Sequence, residues 1–306
     1  MTTVLVATVK PFAKVAVNGI SEIVIKAGFE LKMLEKYTDQ NQLLEAVKDV
    51  DALIVRSDIV DENVIKAANK LKIIVRAGAG YDNIDLKASS EKGITVMNTP
   101  GQNSNAVAEL TIGMLIFMNR NFFNGTAGVE LRGKTMGIHA YGHVGRIIGM
   151  IAKGMGMDVF AFDPFQDKTI IENDGVKTVE NVRDLYSKCQ YISVNLPANS
   201  ETKGSINYDL MSLMPEGATL VNPARKEIID ESSLLKMFAE RNDFRYATDT
   251  APDCEAQIKA EYAARYFATP KKMGAQTDEA NINAGLAAAR QIVNFIQKGD
   301  NTFRVN

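Results

Sequence analysis

The stretch from Lys134 to Asp163, KTMGIHAYGHVGRIIGMIAKGMGMDVFAFD, constrains the fold of this 306-residue chain more than any other. Met136 to Ala140 is a short apolar run that reads as a strand. The turn Ala140-Tyr141-Gly142-His143-Val144-Gly145 follows it. Ile147, Ile148, Ile151, Ala152 and Met155 then recur at helical spacing. Val159, Ala161 and Phe162 form a second apolar strand that ends on Asp163. Strand, glycine turn, helix and acid-ended strand are the order of a dinucleotide-binding βαβ unit. Gly142 lets the backbone approach a pyrophosphate, and Gly145 lets the helix pack tightly on the strand. The helix N-terminus offers free N–H groups and a positive dipole end to phosphates. Asp163 can accept hydrogen bonds from an adenosine ribose, and its charge repels a 2′-phosphate, which favours NAD over NADP. The first glycine of the fingerprint is replaced by Ala140. Alanine fits there only with a negative φ, so a slightly altered turn is predicted. Without a ligand, the same pattern reads as a glycine-punctuated turn of an α/β protein.

The length admits two domains. An apolar content of 46% and a formal charge of −2 describe an ordinary globular chain. No long basic run or aromatic-basic patch occurs, which argues against a nucleic-acid partner. No apolar run reaches the length needed to cross a bilayer, so no membrane partner is expected. MTTVLVATVKPF lacks a basic stretch followed by a long apolar core and a cleavage site. A cytoplasmic location is therefore expected. Cys189 and Cys254 have no metal-type spacing and make a poor disulfide scaffold. No metal site is expected.

Strands are predicted at Val4–Val9, Leu31–Leu34, Ala52–Arg56, Lys72–Arg76 and Thr95–Met97, with helical stretches between them, one at Asn18–Ala27. Asn98 to Gly101 reads as a turn, and Ser104 to Asn119 as a long apolar helix. A second alternating series has strands at 135–140, 158–162, 191–196, 219–222, 245–249 and 266–268. The last helix, Ala280–Gln297, is alanine-rich with one apolar face. The expected fold is α/β, with two doubly wound parallel-sheet domains. One, 1–99 plus 280–306, is discontinuous; the other spans 100–279. Hinges are expected near 98–103 and 278–282.

The ordered segments name a family. VRAGAGYDNIDL (75–86), NTPGQNSNAVAELTIGML (98–115), the glycine unit, SVNLPANSETKG (193–204), LVNPARKEIIDESSL (220–234) and ATPKKMGAQTDEA (268–280) cover the chain. In this order the sequence resembles the D-2-hydroxyacid dehydrogenases. Within them it is most similar to the branch acting on D-3-phosphoglycerate, in a short form without C-terminal regulatory domains. The resemblance implies a flavodoxin-like substrate domain and a Rossmann NAD-binding domain. It implies cofactor contacts from Tyr141, Gly142, His143, Val144, Gly145, Asp163, Leu196, Pro197, Thr202, Pro223, Ala224 and Asp249. It also implies a homodimer. The segment between Arg120 and Lys134 is shorter than is usual, which places cross-subunit contacts to the substrate in doubt. The apolar helix 104–119 is expected either in a two-fold interface or buried in its own domain.

Oxidising a 2-hydroxy acid requires a grip on the carboxylate, a base for the hydroxyl proton and a hydride acceptor. Arg225, in NPARKE, matches the family arginine, and its planar fork suits a carboxylate. Lys226 stands where the family has glycine. The family histidine, in TPH-x-G-x-x-T, is replaced here by TPKKMGAQT. Counting back from Gly274 and Thr277 reaches Lys272; counting forward from Thr269-Pro270 reaches Lys271. Lys272 is the favoured base, with Lys271 as the alternative. The glutamate that orients the family histidine falls on Cys254, so both members of that pair are absent together. A lysine base must lose its proton from a reference of about 10.4, and burial near Arg225 would push in that direction.

Ala79 and Gly80 match backbone amides that hold the substrate carboxylate. Arg56, Ser57 and Asn103 match the positions that contact a 3-phosphate, with Arg76 nearby. The expected ligand is a small phosphorylated 2-hydroxy acid. Surface ion pairs of Arg56 and Arg76 with Asp58 or Asp82 are the plainer alternative. Two other functions fit the same fold: a hydroxypyruvate or glyoxylate reductase, and a catalytically inactive NAD-sensing binding protein.

Overall fold

A computed structural model describes residues 1–306 as two compact units, Met1–Asn103 with Ala275–Asn306, and Ser104–Gly274. The chain changes unit at 103/104 and 274/275, four to five residues inside the boundaries expected from the sequence.

In the first unit the strands are β1 (Thr3–Thr8), β2 (Glu30–Glu35), β3 (Ala52–Val55), β4 (Ile73–Arg76) and β5 (Thr95–Asn98). They alternate with helices α1 (Lys14–Lys26), α2 (Gln40–Ala46), α3 (Glu62–Ala67) and α4 (Leu86–Glu91). All pairings are parallel, in the order β2-β1-β3-β4-β5. The central strands are buried on both faces, which explains their near-continuous apolar runs, VLVA, ALIV and IIV. Asp39, Asp61 and Asp85 cap α2, α3 and α4, so each helix starts where its aspartate accepts a first-turn N–H. The turn expected from Asn98 begins two residues later, because Asn98 still pairs with Arg76 as the last residue of β5.

The second unit opens with α5 (Ser104–Asn119). It continues through β6 (Thr135–His139), α6 (His143–Gly154), β7 (Asp158–Phe162), α7 (Lys168–Asn173), β8 (Lys177–Thr178), α8 (Val182–Lys188) and β9 (Tyr191–Val194). It ends with α9 (Tyr208–Met211), β10 (Thr219–Asn222), α10 (Glu231–Glu240), β11 (Arg245–Thr248), α11 (Glu255–Tyr262) and β12 (Tyr266–Ala268). The sheet is parallel throughout, in the order β12-β11-β10-β9-β6-β7-β8. The order reverses between β6 and β9, the topological switch where such sheets bind ligands beyond their carboxyl ends. Ala108, Ile112, Met114, Leu115 and Met118 of α5 join Ile138, Ile148 and Val221 in one core cluster. The apolarity of this helix is thus met inside its own unit, one of the two readings open from the sequence.

The chain then returns to the first unit as α12 (Asp278–Lys298), capped by Thr277 and packed along α1. No helix is long and apolar enough to cross a membrane.

Candidate active site

Nearly every residue singled out from the sequence stands just past the carboxyl end of a parallel strand. In the second unit these ends carry the 140–145 turn after β6, Asp163 after β7, Leu196 and Pro197 after β9, Pro223–Arg225 after β10, Asp249 after β11 and Lys271–Lys272 after β12.

The N-cap of α6 is Gly142, and no side chain accepts from its first turn. Most other helices here have an Asp, Asn or Thr in that role. The first-turn donors of α6 are therefore left for a ligand. A Cβ on Gly142 would stand in open space, whereas one on Gly145 would collide with the carbonyl of Ala140. One glycine clears the approach and the other lets helix and strand close. Ala140 departs from the expected negative φ: it lies at +74°. The turn keeps the left-handed geometry of a glycine, held by the Ala140 N–H bond to Phe162 O (2.9 Å), and alanine bears the strain.

Asp163 accepts the Tyr141 N–H on Oδ2 (2.8 Å) and the N–H groups of Phe165 (2.9 Å) and Gln166 (3.2 Å) on Oδ1. It ties the turn after β6 to the turn after β7. A carboxylate has about four acceptor directions, so room remains for a ribose hydroxyl. Tyr141, expected as a cofactor contact, lies at the start of this turn. Its side chain is buried, its hydroxyl donates to Asp174 (3.2 Å), and its N–H goes to Asp163. Burial and the Asp174 charge push the phenol pKa up. His143 is exposed on the first turn of α6 and Val144 is half-buried behind it. His139 is buried 3.3 Å from the Tyr186 hydroxyl, and desolvation lowers its pKa to about 4. Neither histidine stands near Lys271–Lys272 in sequence, and His139 is neutral core.

Thr202 donates to Pro197 O and accepts the Asn199 N–H (2.9 Å), which closes the turn below Leu196. Asn222, buried at the end of β10, accepts the Ala224 N–H (3.0 Å) and donates to Arg225 O (2.8 Å). It fixes the turn after Pro223 and holds Arg225, whose side chain is half-buried. Lys226, in the family's glycine position, has ordinary backbone angles and an ion pair with Asp253. Cys254 takes the glutamate position without its chemistry. Burial and the neighbouring Glu231 push its thiol pKa up to about 12. Glu231 itself accepts the N–H groups of Asp253 (2.7 Å) and Cys254 (2.8 Å) at the head of α11.

Asp249 was assigned to the cofactor by resemblance. Both its oxygens accept hydrogen bonds from the 269–274 loop. Lys271 and Lys272 on that loop are exposed, in contrast to the burial expected of a lysine base.

In the first unit Arg56 follows β3. Its Nη1 donates to Lys10 O (2.9 Å) and Pro11 O (3.1 Å), its Nη2 donates to Asn281 of α12, and its guanidinium lies 5.1 Å from the Phe12 ring centroid. Asp58 does not pair with it through the side chain. That carboxylate accepts from Val9 N (2.7 Å), the Tyr37 hydroxyl (2.9 Å) and the Arg56 N–H (3.2 Å). Arg56 is thus a half-buried cation among neutral oxygens, and desolvation lowers its pKa against the pull of Asp58. An added anion would relieve that cost. The side chain of Arg76 lies against Gly78 (φ +146°), where a Cβ would overlap it. The amides of Ala79 and Gly80 donate to no backbone carbonyl. Asn98 fixes their loop through Ala79 O (2.6 Å). Ser57 is exposed and Asn103 half-buried. Asn281, Asn222 and Glu231 were not anticipated. Asn281 and Glu231 act through partners distant in sequence, whereas Asn222 acts on the two turn residues just beyond Pro223.

A family model described as D-isomer specific 2-hydroxyacid dehydrogenase, catalytic domain, matches residues 6–306. The fold is similar to an NAD+-bound 3-phosphoglycerate dehydrogenase from Entamoeba histolytica, with TM-score 0.89 and 49% identity over 100% of this chain and 98% of that one. A D-3-phosphoglycerate dehydrogenase of Methanocaldococcus jannaschii is 35% identical over 267 residues, 83% of this chain and 51% of that protein. A hydroxypyruvate reductase of Thermotoga maritima is 31% identical over 281 residues, 86% of this chain and 90% of that protein. The chain spans about half the length of the curated phosphoglycerate dehydrogenases it matches.

Proposed function

The chain belongs to the D-isomer specific 2-hydroxyacid dehydrogenases, and on that premise we propose that it is an NAD-dependent dehydrogenase that oxidises D-3-phosphoglycerate to 3-phosphooxypyruvate. The open N-terminus of α6 and the carboxylate of Asp163 fit a dinucleotide without a 2′-phosphate. When bound, NAD supplies the hydride acceptor. The other steps fall to this chain's own side chains. The Arg225 fork grips the substrate carboxylate and polarises the forming carbonyl. Within the first unit, the amides of Ala79 and Gly80 are the neutral carboxylate donors that the resemblance implies. The Nζ of Lys272 takes the hydroxyl proton, with Lys271 as the alternative.

The phosphorylated substrate rests on one observation, the Arg56 cation held among Lys10, Pro11 and Asn281 oxygens with no carboxylate partner. Arg56→Ala should raise the KM for D-3-phosphoglycerate by about tenfold to a hundredfold, the size of a charge-assisted contact. The KM for hydroxypyruvate in the reverse direction should stay within about threefold, since it has no phosphate to hold. Equal losses on both substrates would remove the phosphate from the proposal.

A reductase acting on hydroxypyruvate is the second reading. The near full-length match to the Thermotoga maritima enzyme favours it. A homodimer belongs to the same proposal, supported by the exposed Phe123, Val129 and Met150 of the second unit. Sedimentation equilibrium tests it.

A further inference from the structure

Arg56, half-buried after β3, is held by the β1–α1 loop and by α12. Its Nη1 donates to Lys10 O (2.9 Å) and Pro11 O (3.1 Å), and its Nη2 donates to Asn281 Oδ1. A guanidinium has five N–H donors, so the Nε–H and the second N–H on Nη2 are left without an acceptor. The part played by α12 is built in two steps. Asn281 Nδ2 donates to Thr277 O (2.8 Å), the carbonyl of the N-cap residue. A carbonyl only accepts, so the amide turns its oxygen to the guanidinium. Gly285, four residues on, shares that face of the helix. A Cβ there would come within 3.1 Å of the Phe12 ring, whose centroid lies 5.1 Å from the Arg56 guanidinium. Asn281 fixes the fork, and Gly285 makes room for the ring beside it. None of these partners carries a charge. Asp58 spends its carboxylate on the Val9 N–H, the Tyr37 hydroxyl and the Arg56 N–H. Asparagine at 281 has the shape of aspartate without the charge that would neutralise the arginine.

We propose that Asn281 is a positioning residue for substrate specificity: it orients the Arg56 fork without neutralising it, which keeps the cation for the phosphate of the substrate. This rests on the phosphorylated-substrate reading above. An arginine paired with an internal carboxylate would have to give up or share that pair to take a phosphate. An arginine with no partner would lose rotamer freedom each time the substrate bound. A neutral clamp avoids both costs. Lys10 O and Pro11 O belong to the same device, since they too are oxygens without a formal charge.

The test compares wild type, Asn281→Asp and Asn281→Ala, each also in an Arg56→Ala background, in the NADH-dependent reduction of 3-phosphooxypyruvate and of hydroxypyruvate. Asn281→Asp should raise the KM for 3-phosphooxypyruvate by about tenfold or more, the size of a charge-assisted contact. The KM for hydroxypyruvate and both kcat values should stay within about threefold, since no phosphate is at stake there. Asn281→Ala frees the fork but leaves its charge, so it should raise the KM for the phosphorylated acid by less than Asn281→Asp does. In the Arg56→Ala background, Asn281→Asp should add less than about twofold, because the group it acts through is gone. A loss that persists there would mean that residue 281 acts on the anion or on the fold directly, and would overturn the proposal. An unchanged KM in Asn281→Asp beside a raised one in Arg56→Ala would overturn it equally. Should Asn281→Asp not fold, Asn281→Ala carries the comparison. A KM rise confined to the phosphorylated acid supports the proposal, and no rise or an equal rise on both substrates overturns it. Equal losses on both substrates in Arg56→Ala would remove the phosphate reading itself, and this proposal with it.

Discussion

At the scale of single residues, the proposed chemistry turns on the lysine pair. Lys272→Ala should lower turnover by about a hundredfold or more, the usual contribution of a general base, with little change in NAD binding. The wild-type oxidation rate should rise with pH, because only the neutral amine accepts the hydroxyl proton. A dead Lys271→Ala beside a normal Lys272→Ala would move the role by one position. The sequence made the lysines visible because they stand between Thr269-Pro270 and the Gly274/Thr277 anchor, with the register open by one residue. It could not show what holds them, since Asp249 and Thr269 lie twenty residues apart and meet only once β11 and β12 are paired. Arg56 was visible from its strand end. Its partner Asn281 was not, because that contact joins residues 225 positions apart.

Among elements, the turn between β6 and α6 is where sequence reasoning and geometry part. The glycine spacing announced the element, and its role in approach and packing follows from Gly142 and Gly145. The conformation of Ala140 did not follow, because it depends on the bond from its N–H to Phe162 O beyond the end of the β6–β7 ladder. A left-handed alanine costs about 1–2 kcal/mol, partly offset in a glycine by greater unfolded-state freedom. Ala140→Gly should therefore stabilise the protein by about 1 kcal/mol, or about 2–4 °C in Tm. A lower Tm would show that the alanine methyl packs usefully enough to outweigh the strain. Long buried strands were legible from continuous apolar runs. The edge strand β8 was not, because its two residues pair only with Phe160 and Ala161 and leave no period to read. The helix α5 illustrates a different limit: its apolarity showed that it is buried, and only packing showed against what.

For the whole molecule, alternation of strands and helices was enough to give two parallel sheets, since crossover helices bury both faces of each. The return of α12 to the first unit was legible too, from the position of an alanine-rich helix after the last strand. The proposed substrate rests on resemblance and on a single half-buried arginine, and that is the claim a measurement tests most usefully. The most direct one is NADH oxidation with 3-phosphooxypyruvate, hydroxypyruvate and glyoxylate side by side under one set of conditions. The account predicts the highest kcat/KM for 3-phosphooxypyruvate, by about tenfold or more, the value of one added charge-assisted contact. A kcat/KM for hydroxypyruvate or glyoxylate equal to or above that for the phosphorylated acid would contradict it.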